Sequence, residues 1–435
     1  MVDSTRIIVV GGGIAGLTAA LSLHAAGFRP VVFEAVAKPT PMGVGINLLP
    51  HATRELAALG LLDDLHRIGV DMRALVYLTR YGREIWREPR GLEAGYAWPQ
   101  IAVHRGRLQM LLLEKVLERL GPDAVRFDHA LTDFEPVDSG VQAHFTGRGG
   151  TSRGHEAADL LVAADGIHSA VRRKFYPHEG LPKWNQVTLW RSTAKLSAYP
   201  LAGTMLWAGH SRQKFVAYPI EQDAVTGETL LNWICDLKAD GGETPAKEDW
   251  NKAGDPRDIL GPFADWRWPG IDVPAIIGAA SGIYEFPMVD RDPLPRWTFG
   301  RATLIGDAAH PMYPIGSNGA TQAIIDARAL AFHLRRESGL DAGLAAYEAD
   351  RREATSRIVL MNRAQGPDKV MDLAQDRAPH PGDDLDARLP MSERAAIAAD
   401  YKRVAGFDPA ALNAKPSYAT SDEEDQATFH DSRGL

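Results

Sequence analysis

Residues 6–34 constrain this chain more than any other stretch. Ile7 to Val10 is an apolar run suited to a fully buried strand. Gly11, Gly13 and Gly16 then fit G-x-G-x-x-G, and Leu17 to Ala26 carries a helical pattern that Gly27 can end. Pro30 to Glu34 is a second strand, closing on a carboxylate 18 residues after Gly16. The glycines serve a tight turn, a close backbone approach to a pyrophosphate, and close helix–strand packing. Around Ile14 and Ala15 the helix start offers free N–H groups to phosphates, and Glu34 can accept from an adenosine ribose hydroxyl. Strand, glycines, helix, strand and acid in register point to a bound adenine dinucleotide. An acid at position 34 disfavours a 2′-phosphate, which leaves FAD or NAD.

A chain of 435 residues can bury a large core and form two interlocked domains with extensions. Its net charge of -8 gives no reason to expect nucleic acid as a partner. The basic clusters Arg172-Arg173-Lys174 and Arg351-Arg352 fall in helical patterns and read as solvated faces. Cys235 is the only cysteine, so no disulfide can form within the chain, and a reducing, cytoplasmic setting is expected; it lies in a predicted strand and reads as core. The N-terminal apolar run is too short for a signal peptide, and no stretch approaches a membrane span.

Helix and strand patterns alternate up to about residue 180. Arg105 to Leu120 is an amphipathic helix stopped by Gly121-Pro122, and Val141–Thr146 and Asp159–Ala164 read as strands around a surface hairpin at 147–154. Between about 185 and 290 short aromatic-rich runs appear, at 187–190, 204–207, 214–218 and 229–233, as in a mostly antiparallel sheet. A strand–loop–helix pattern returns at 302–336, and helical stretches follow near 341–364 and 391–403. From Asn413 onward the composition predicts a poorly ordered tail.

Two further strand ends carry acids. The run 159–164 delivers Asp165-Gly166 ahead of a helix starting near Ser169, and 302–305 delivers Gly306-Asp307, a Pro/Gly loop, and a long helix from about Asn318. A third segment, Val103-His104-Arg105-Gly106, stands at the mouth of the 105–120 helix. With these motifs in this order, residues 5–365 resemble the single-component (group A) FAD-dependent aromatic monooxygenases, the p-hydroxybenzoate and salicylate hydroxylase class. Within it, Trp86 to Gly95, the His104-Arg-Gly-x-Leu-Gln-Met stretch and 286–295 look like segments of the methylphenazine-carboxylate monooxygenases of phenazine biosynthesis.

The resemblance implies an α/β (α+β) fold: a Rossmann-like FAD-binding domain of the p-hydroxybenzoate hydroxylase type, an inserted, mostly antiparallel substrate sheet, and C-terminal helices. The expected division is 1–180 and 296–365 for the two parts of the FAD-binding domain, 181–295 for the substrate domain, and 366–435 for a helical extension and tail. It implies that Asp307 bonds the ribityl chain of FAD and that Pro314, Gly316, Asn318 and Gly319 lie beneath the flavin ring. Gly45, Ile46 and Asn47 would touch that ring from its other side. Arg105 would approach phosphate or ribityl, and Asp165 and Gly166 would serve FAD and the pyridine nucleotide. No second G-x-G-x-x-G unit exists, so NAD(P)H is expected to bind transiently in a groove.

The implied reaction is reduction of FAD by NAD(P)H, capture of O2 as a C4a-hydroperoxide, and transfer of one oxygen to an aromatic or N-heteroaromatic acid, with or without loss of its carboxylate. The substrate pocket is expected between the sheet and the flavin, with Trp190, Tyr218 and Trp233 from the sheet and Leu48, Met288 and Tyr313 from the loops. Arg191 could bind a carboxylate, but alternation sets it opposite Trp190, which equally suits the surface. His210 and His310 are the candidate bases. No metal site is expected, and a monomer or homodimer would serve. A related FAD monooxygenase on a non-aromatic substrate, or a non-catalytic flavin-binding protein, are the alternatives. Trp266-Arg-Trp268-Pro-Gly-Ile resembles a halogenase signature but lacks its final proline.

Overall fold

A computed structural model describes residues 5–420 apart from Ser139, Ala224, Asp240, 242–251, Gln365, Gly406 and Phe407. The apolar run at the N-terminus needs cover on both faces, and a six-stranded sheet gives it that place. Its order is Thr298–Phe299, Ala302–Leu304, Leu160–Ala163, Arg6–Val10, Arg29–Glu34 and Val125–Phe127, parallel except for the Thr298–Phe299 edge. The three acid-bearing strands therefore end at one side of one sheet, where a doubly wound fold collects its ligand.

Helix Ile14–Ala25 lies almost wholly buried and packs on Asn318–Arg336, which in turn packs on Leu340–Arg363. Gly27 ends the first helix in the left-handed region, with φ +88. Its N–H donates to His24 and that of Phe28 to Leu23, a Schellman closure. Helix Arg105–Leu120 forms over the residues its pattern indicates. The 147–154 loop joins antiparallel strands Gly140–Thr146 and Ser152–Ala158, as a hairpin should.

The second large sheet has seven strands: Tyr284–Asp290, Lys183–Leu196, Thr229–Lys238, Gln213–Gln222, Thr204–His210, Ala74–Leu78 and Glu84–Pro89. All pair antiparallel except Thr204–His210 with Ala74–Leu78. Two of its strands precede residue 180, so the sheet draws on more than 181–295. A three-stranded layer, Gly45–Leu48, Gln100–His104 and Gly69–Met72, lies between this sheet and the helices.

The two faces of the seven-stranded sheet have different neighbours. Trp190, Phe215, Trp233 and Cys235 pack with Ile259, Phe263 and Trp266, which makes Trp266 a core residue. Trp207, Val216, Tyr218 and Ile220 pack on the other side. The chain end departs from expectation. Helix Pro409–Ala414 is followed by a buried Tyr418, whose N–H donates to Glu55 and whose hydroxyl donates to Asp350; 421–435 lie outside the described residues. Among the described residues no helix is long and apolar enough to cross a membrane.

Candidate active site

The glycine loop divides its labour as the motif requires. A Cβ on Gly11 would meet the Ala164 carbonyl oxygen at 2.5 Å, and one on Gly16 would lie 1.9 Å from the Gly11 oxygen. Around Gly13 nothing stands within 4 Å of that position, so the second glycine faces open space at the start of the helix that begins Ile14-Ala15. Glu34 is fixed by two N–H donors, Gly12 at 2.6 Å and Val36 at 2.7 Å. A carboxylate has about four acceptor positions, which leaves capacity for a hydroxyl. Gln109, which the sequence argument did not single out, donates to the Gly12 carbonyl at 2.8 Å.

Asp307 turns an accessible side chain into a crowded recess at the end of strand Ala302–Leu304. Burial of its surroundings raises its pKa, opposed by His310 and Arg105. Gly306 holds the turn at φ +56, where a Cβ would press on Ala15 and Ala323 at 3.0 and 3.2 Å. Beneath it Asp326 accepts from the Gly306 N–H at 3.0 Å, pairs with His310 Nε2 at 2.5 Å, and accepts from Arg351 Nε at 2.9 Å. Burial alone would raise the Asp326 pKa; His310 and Arg351 outweigh it and hold the carboxyl below its ordinary range.

This geometry corrects three expectations. His310 is buried, bonded to Asp326 and set against Trp297, so it braces the turn instead of standing open as a base. Arg351 belongs to the same network and also donates to Gln322. Arg172 is 1% exposed and donates to the carbonyls of Ala308 and Ala309 at 3.1 and 2.9 Å, so it clamps the segment after Asp307. Neither arginine is part of a solvated face; single charges inside a helical pattern look alike in sequence whether paired or not.

After Pro314 the loop turns through Gly316 at φ +74 and Ser317 at φ +60. A left-handed non-glycine residue costs roughly 1–2 kcal/mol, strain of the kind that clusters at ligand sites. Helix Asn318–Arg336 follows. Asn318 is fully buried, and neither its amide oxygen nor its nitrogen has a partner among the described residues; space beside Gly319 is open. At the neighbouring strand end Asp165 accepts from the Ala170 N–H at 2.8 Å while its other oxygen is buried and has no partner among the described residues, and Gly166 opens on free space. Burial raises the Asp165 pKa against bonds from Ser169 and Ala170.

The opposite wall is strand Gly45–Leu48. The Gly45 N–H donates to Asn232 Oδ1 at 2.7 Å, and its carbonyl accepts from Arg191 at 2.7 Å and from the Tyr218 hydroxyl at 2.9 Å. A Cβ there would lie 2.7 Å from Asn232 and 2.8 Å from Ile220, so only glycine lets the strand meet the sheet. Asn47 is buried and accepts from Gln100 at 3.4 Å; Ile46 alternates with it and pairs across the layer with Val103. Arg105 is exposed at the head of its helix, and its charge reaches both Asp307 and Arg191.

Met288 and Tyr313 come together with Val187, Leu189 and Ile315, edged by Phe286 and Ile234. Tyr218 faces the same way. Trp190 and Trp233 do not: register pairs Trp190 with Cys235 and Arg191 with Ile234, so both tryptophans point to the far face and Arg191 to the near one. Leu48 is fully buried in the parallel-sheet core rather than in the cleft. His210 ends a strand at a hairpin, accepts from the Arg212 N–H at 3.3 Å, and has Asp372, Arg80, Arg212 and Asp376 as its charged neighbours, so it is no base for this site; burial lowers its pKa. Asn232 carried no local signal at all.

Open space at Gly13, Gly166 and Gly319, the orphaned amide of Asn318 and the free oxygen of Asp165 fit one extended ligand with phosphates at one end and a polar ring edge at the other. The family profile for the FAD binding domain matches residues 4–361. The chain belongs to that FAD binding domain family. It is similar to the phenazine 1,6-dicarboxylic acid hydroxylase PhzS of Lysobacter antibioticus, 45% identical over 366 residues that cover 82% of this chain and 89% of the relative. It is 31% identical over 369 residues to 3-hydroxybenzoate 6-hydroxylase 1 of Aquipseudomonas alcaligenes, with 82% and 88% covered. HpxO of Klebsiella pneumoniae, solved with FAD and uric acid, shares the fold at TM-score 0.71 and 22% identity, covering 99% of this chain and 98% of that one. This FAD binding domain protein is a flavin-dependent monooxygenase that uses FAD with NAD(P)H and O2.

Proposed function

We propose that the enzyme hydroxylates an aromatic or N-heteroaromatic carboxylic acid held between the Gly45 strand and the seven-stranded sheet. The observation that carries this reading is Arg191. Its guanidinium stands on the cleft side of the sheet over Phe286, 5.9 Å from the ring centroid. One nitrogen is committed to the Gly45 carbonyl, while Nε is buried and without a partner among the described residues. Burial lowers its pKa, opposed by Tyr218 and Asp236. An arginine in that state suits a carboxylate, which it can meet with paired N–H donors. The acids named for PhzS and for the 3-hydroxybenzoate hydroxylase support the same class.

In this reading Gly13, Ile14 and Ala15 offer N–H groups to the pyrophosphate of FAD, Glu34 the ribose, and Asp307 the ribityl hydroxyls. Asp165 and Gly166 border the same groove. The flavin, once reduced, supplies the oxygen-transfer chemistry. The positive end of helix Asn318–Arg336 would stabilise the negative charge that a bound flavin gains on reduction, an effect of about 0.3–1 kcal/mol at exposed sites and more when buried. Phe286, Met288 and Tyr313 form an apolar wall that excludes water from the reacting ring.

The test is a panel of benzoic, pyridine and phenazine carboxylic acids and their carboxamides, followed by NAD(P)H oxidation and by hydroxylated product. Acids should stimulate oxidation and yield product, with carboxamides weaker by roughly tenfold or more, the loss expected for a charge-assisted pair. Absence of stimulation by every acid, or carboxamides equal to acids, overturns the proposal.

A further inference from the structure

Arg191 is not the only charged side chain on the cleft side of the seven-stranded sheet. Asp236 stands two positions beyond Ile234, the register partner of Arg191, and so shares its face. Across the sheet Asp236 lies opposite Leu189 on one side and opposite Lys214 on the other. Leu189 packs with Met288 and Tyr313 in the cleft wall, which Ile234 edges. Asp236 therefore borders the cleft, diagonal to Arg191, a relation that sets two residues about 7–8 Å apart.

Lys214 does not need this acid. Its Nζ lies 2.6 Å from Asp368 and 3.4 Å from Asp236, and all three residues are buried. The short bond goes to Asp368, which lies beyond the 4–361 match, so the C-terminal extension brings the lysine a carboxylate of its own. Asp236 keeps the longer contact on Oδ2, while its Oδ1 is buried and has no partner among the described residues. Burial raises its pKa; Lys214 and Arg191 oppose the shift and Asp368 adds to it. A carboxylate has about four acceptor positions, and a buried one left empty is costly. Arg191 supplies the second sign of a ligand, since its Nε is also buried without a partner among the described residues. An unfilled donor and an unfilled acceptor on adjacent strands of one face call for a molecule that carries the complement of both.

We propose that Asp236 is a second substrate anchor, accepting a hydrogen bond from an O–H or N–H on the ring whose carboxylate Arg191 holds. The enzyme then selects aromatic acids that bear a hydroxyl, amino or ring N–H group over acids that bear none. Lys214 holds Oδ2, which leaves Oδ1 to the ligand. This inference rests on the carboxylate reading above and narrows it.

Dissociation constants of the FAD-loaded enzyme, read from the shift in flavin absorbance, test it. The probes are hydroxybenzoic acids and the fluorobenzoic acids of the same substitution pattern, because fluorine is close to a hydroxyl in size and donates nothing. In the wild type at least one hydroxy isomer should bind about tenfold or more tightly than its fluoro partner, as a charge-assisted bond requires. In Asp236→Leu the two should agree within about twofold, with the fluoro constant near its wild-type value. Asp236→Asn, which keeps an acceptor oxygen, should fall between. Lys214 retains Asp368 in both variants, and a merely structural loss would weaken both members of a pair alike. Equal constants for every pair in the wild type, or a preference that survives in Asp236→Leu, overturns this proposal alone. Failure of every acid to bind overturns the carboxylate reading and this one with it.

Discussion

Around the six-stranded sheet the groups offered to a ligand are main-chain N–H donors and carboxylates at strand ends. Around the seven-stranded sheet they are side chains, Arg191, Tyr218 and Asn232, which reach one glycine from 146, 173 and 187 residues away. The first arrangement tolerates little change of backbone and much change of side chain; the second is the reverse. A nucleotide cradle of the first kind is the same for every substrate, whereas a wall of the second kind can be re-lettered strand by strand to take a new acid.

Five variants put that contrast at risk. Asp326→Asn should do most damage, since it leaves Arg351 uncompensated in the interior and the Gly306 turn unbraced. A loss of about 3–5 kcal/mol in unfolding free energy is expected, with depleted flavin absorbance. Because the Asp326 pKa is depressed in the folded protein, its contribution is present above the ordinary value of 3.8 and fades as pH falls through the depressed one. The wild-type advantage over the variant should shrink on the same titration. Asp307→Ala should stay folded and lose about 1.5–3 kcal/mol of FAD affinity, read by equilibrium dialysis. Full occupancy in that variant would mean the carboxylate serves something else.

Asn232→Ala strips the Gly45 N–H of its acceptor at a cost of about 1–3 kcal/mol. It should lower kcat more than it raises KM, because the strand, not the substrate grip, is loosened. The smallest effect concerns the far face. Trp233→Phe should shift the melting temperature while KM stays at the wild-type value, whereas Phe286→Ala should raise KM severalfold. Equal KM shifts from both would show that the two faces of the sheet are not separated as the register indicates.

The parts legible in the sequence are those whose neighbours are close along the chain: Gly11, Gly13, Gly16 and Glu34, the Gly306-Asp307 turn, and the helix from Asn318. The sheet was legible as a sheet, but which aromatic faces which way depends on register. Alternation correctly set Arg191 opposite Trp190 without telling which of the two looks inward. His310 was drawn toward catalysis by its place beside Asp307; Asp326, 16 residues on, decides its role. Arg172 and Arg351 could not be told from surface charges, since their partners are carbonyls and acids supplied by other elements.

The guanidinium that would greet an incoming acid already grips the carbonyl of Gly45. An acid held there would share its arginine with the main chain of the Gly45 strand, so the grip on a substrate and the position of that strand would be linked.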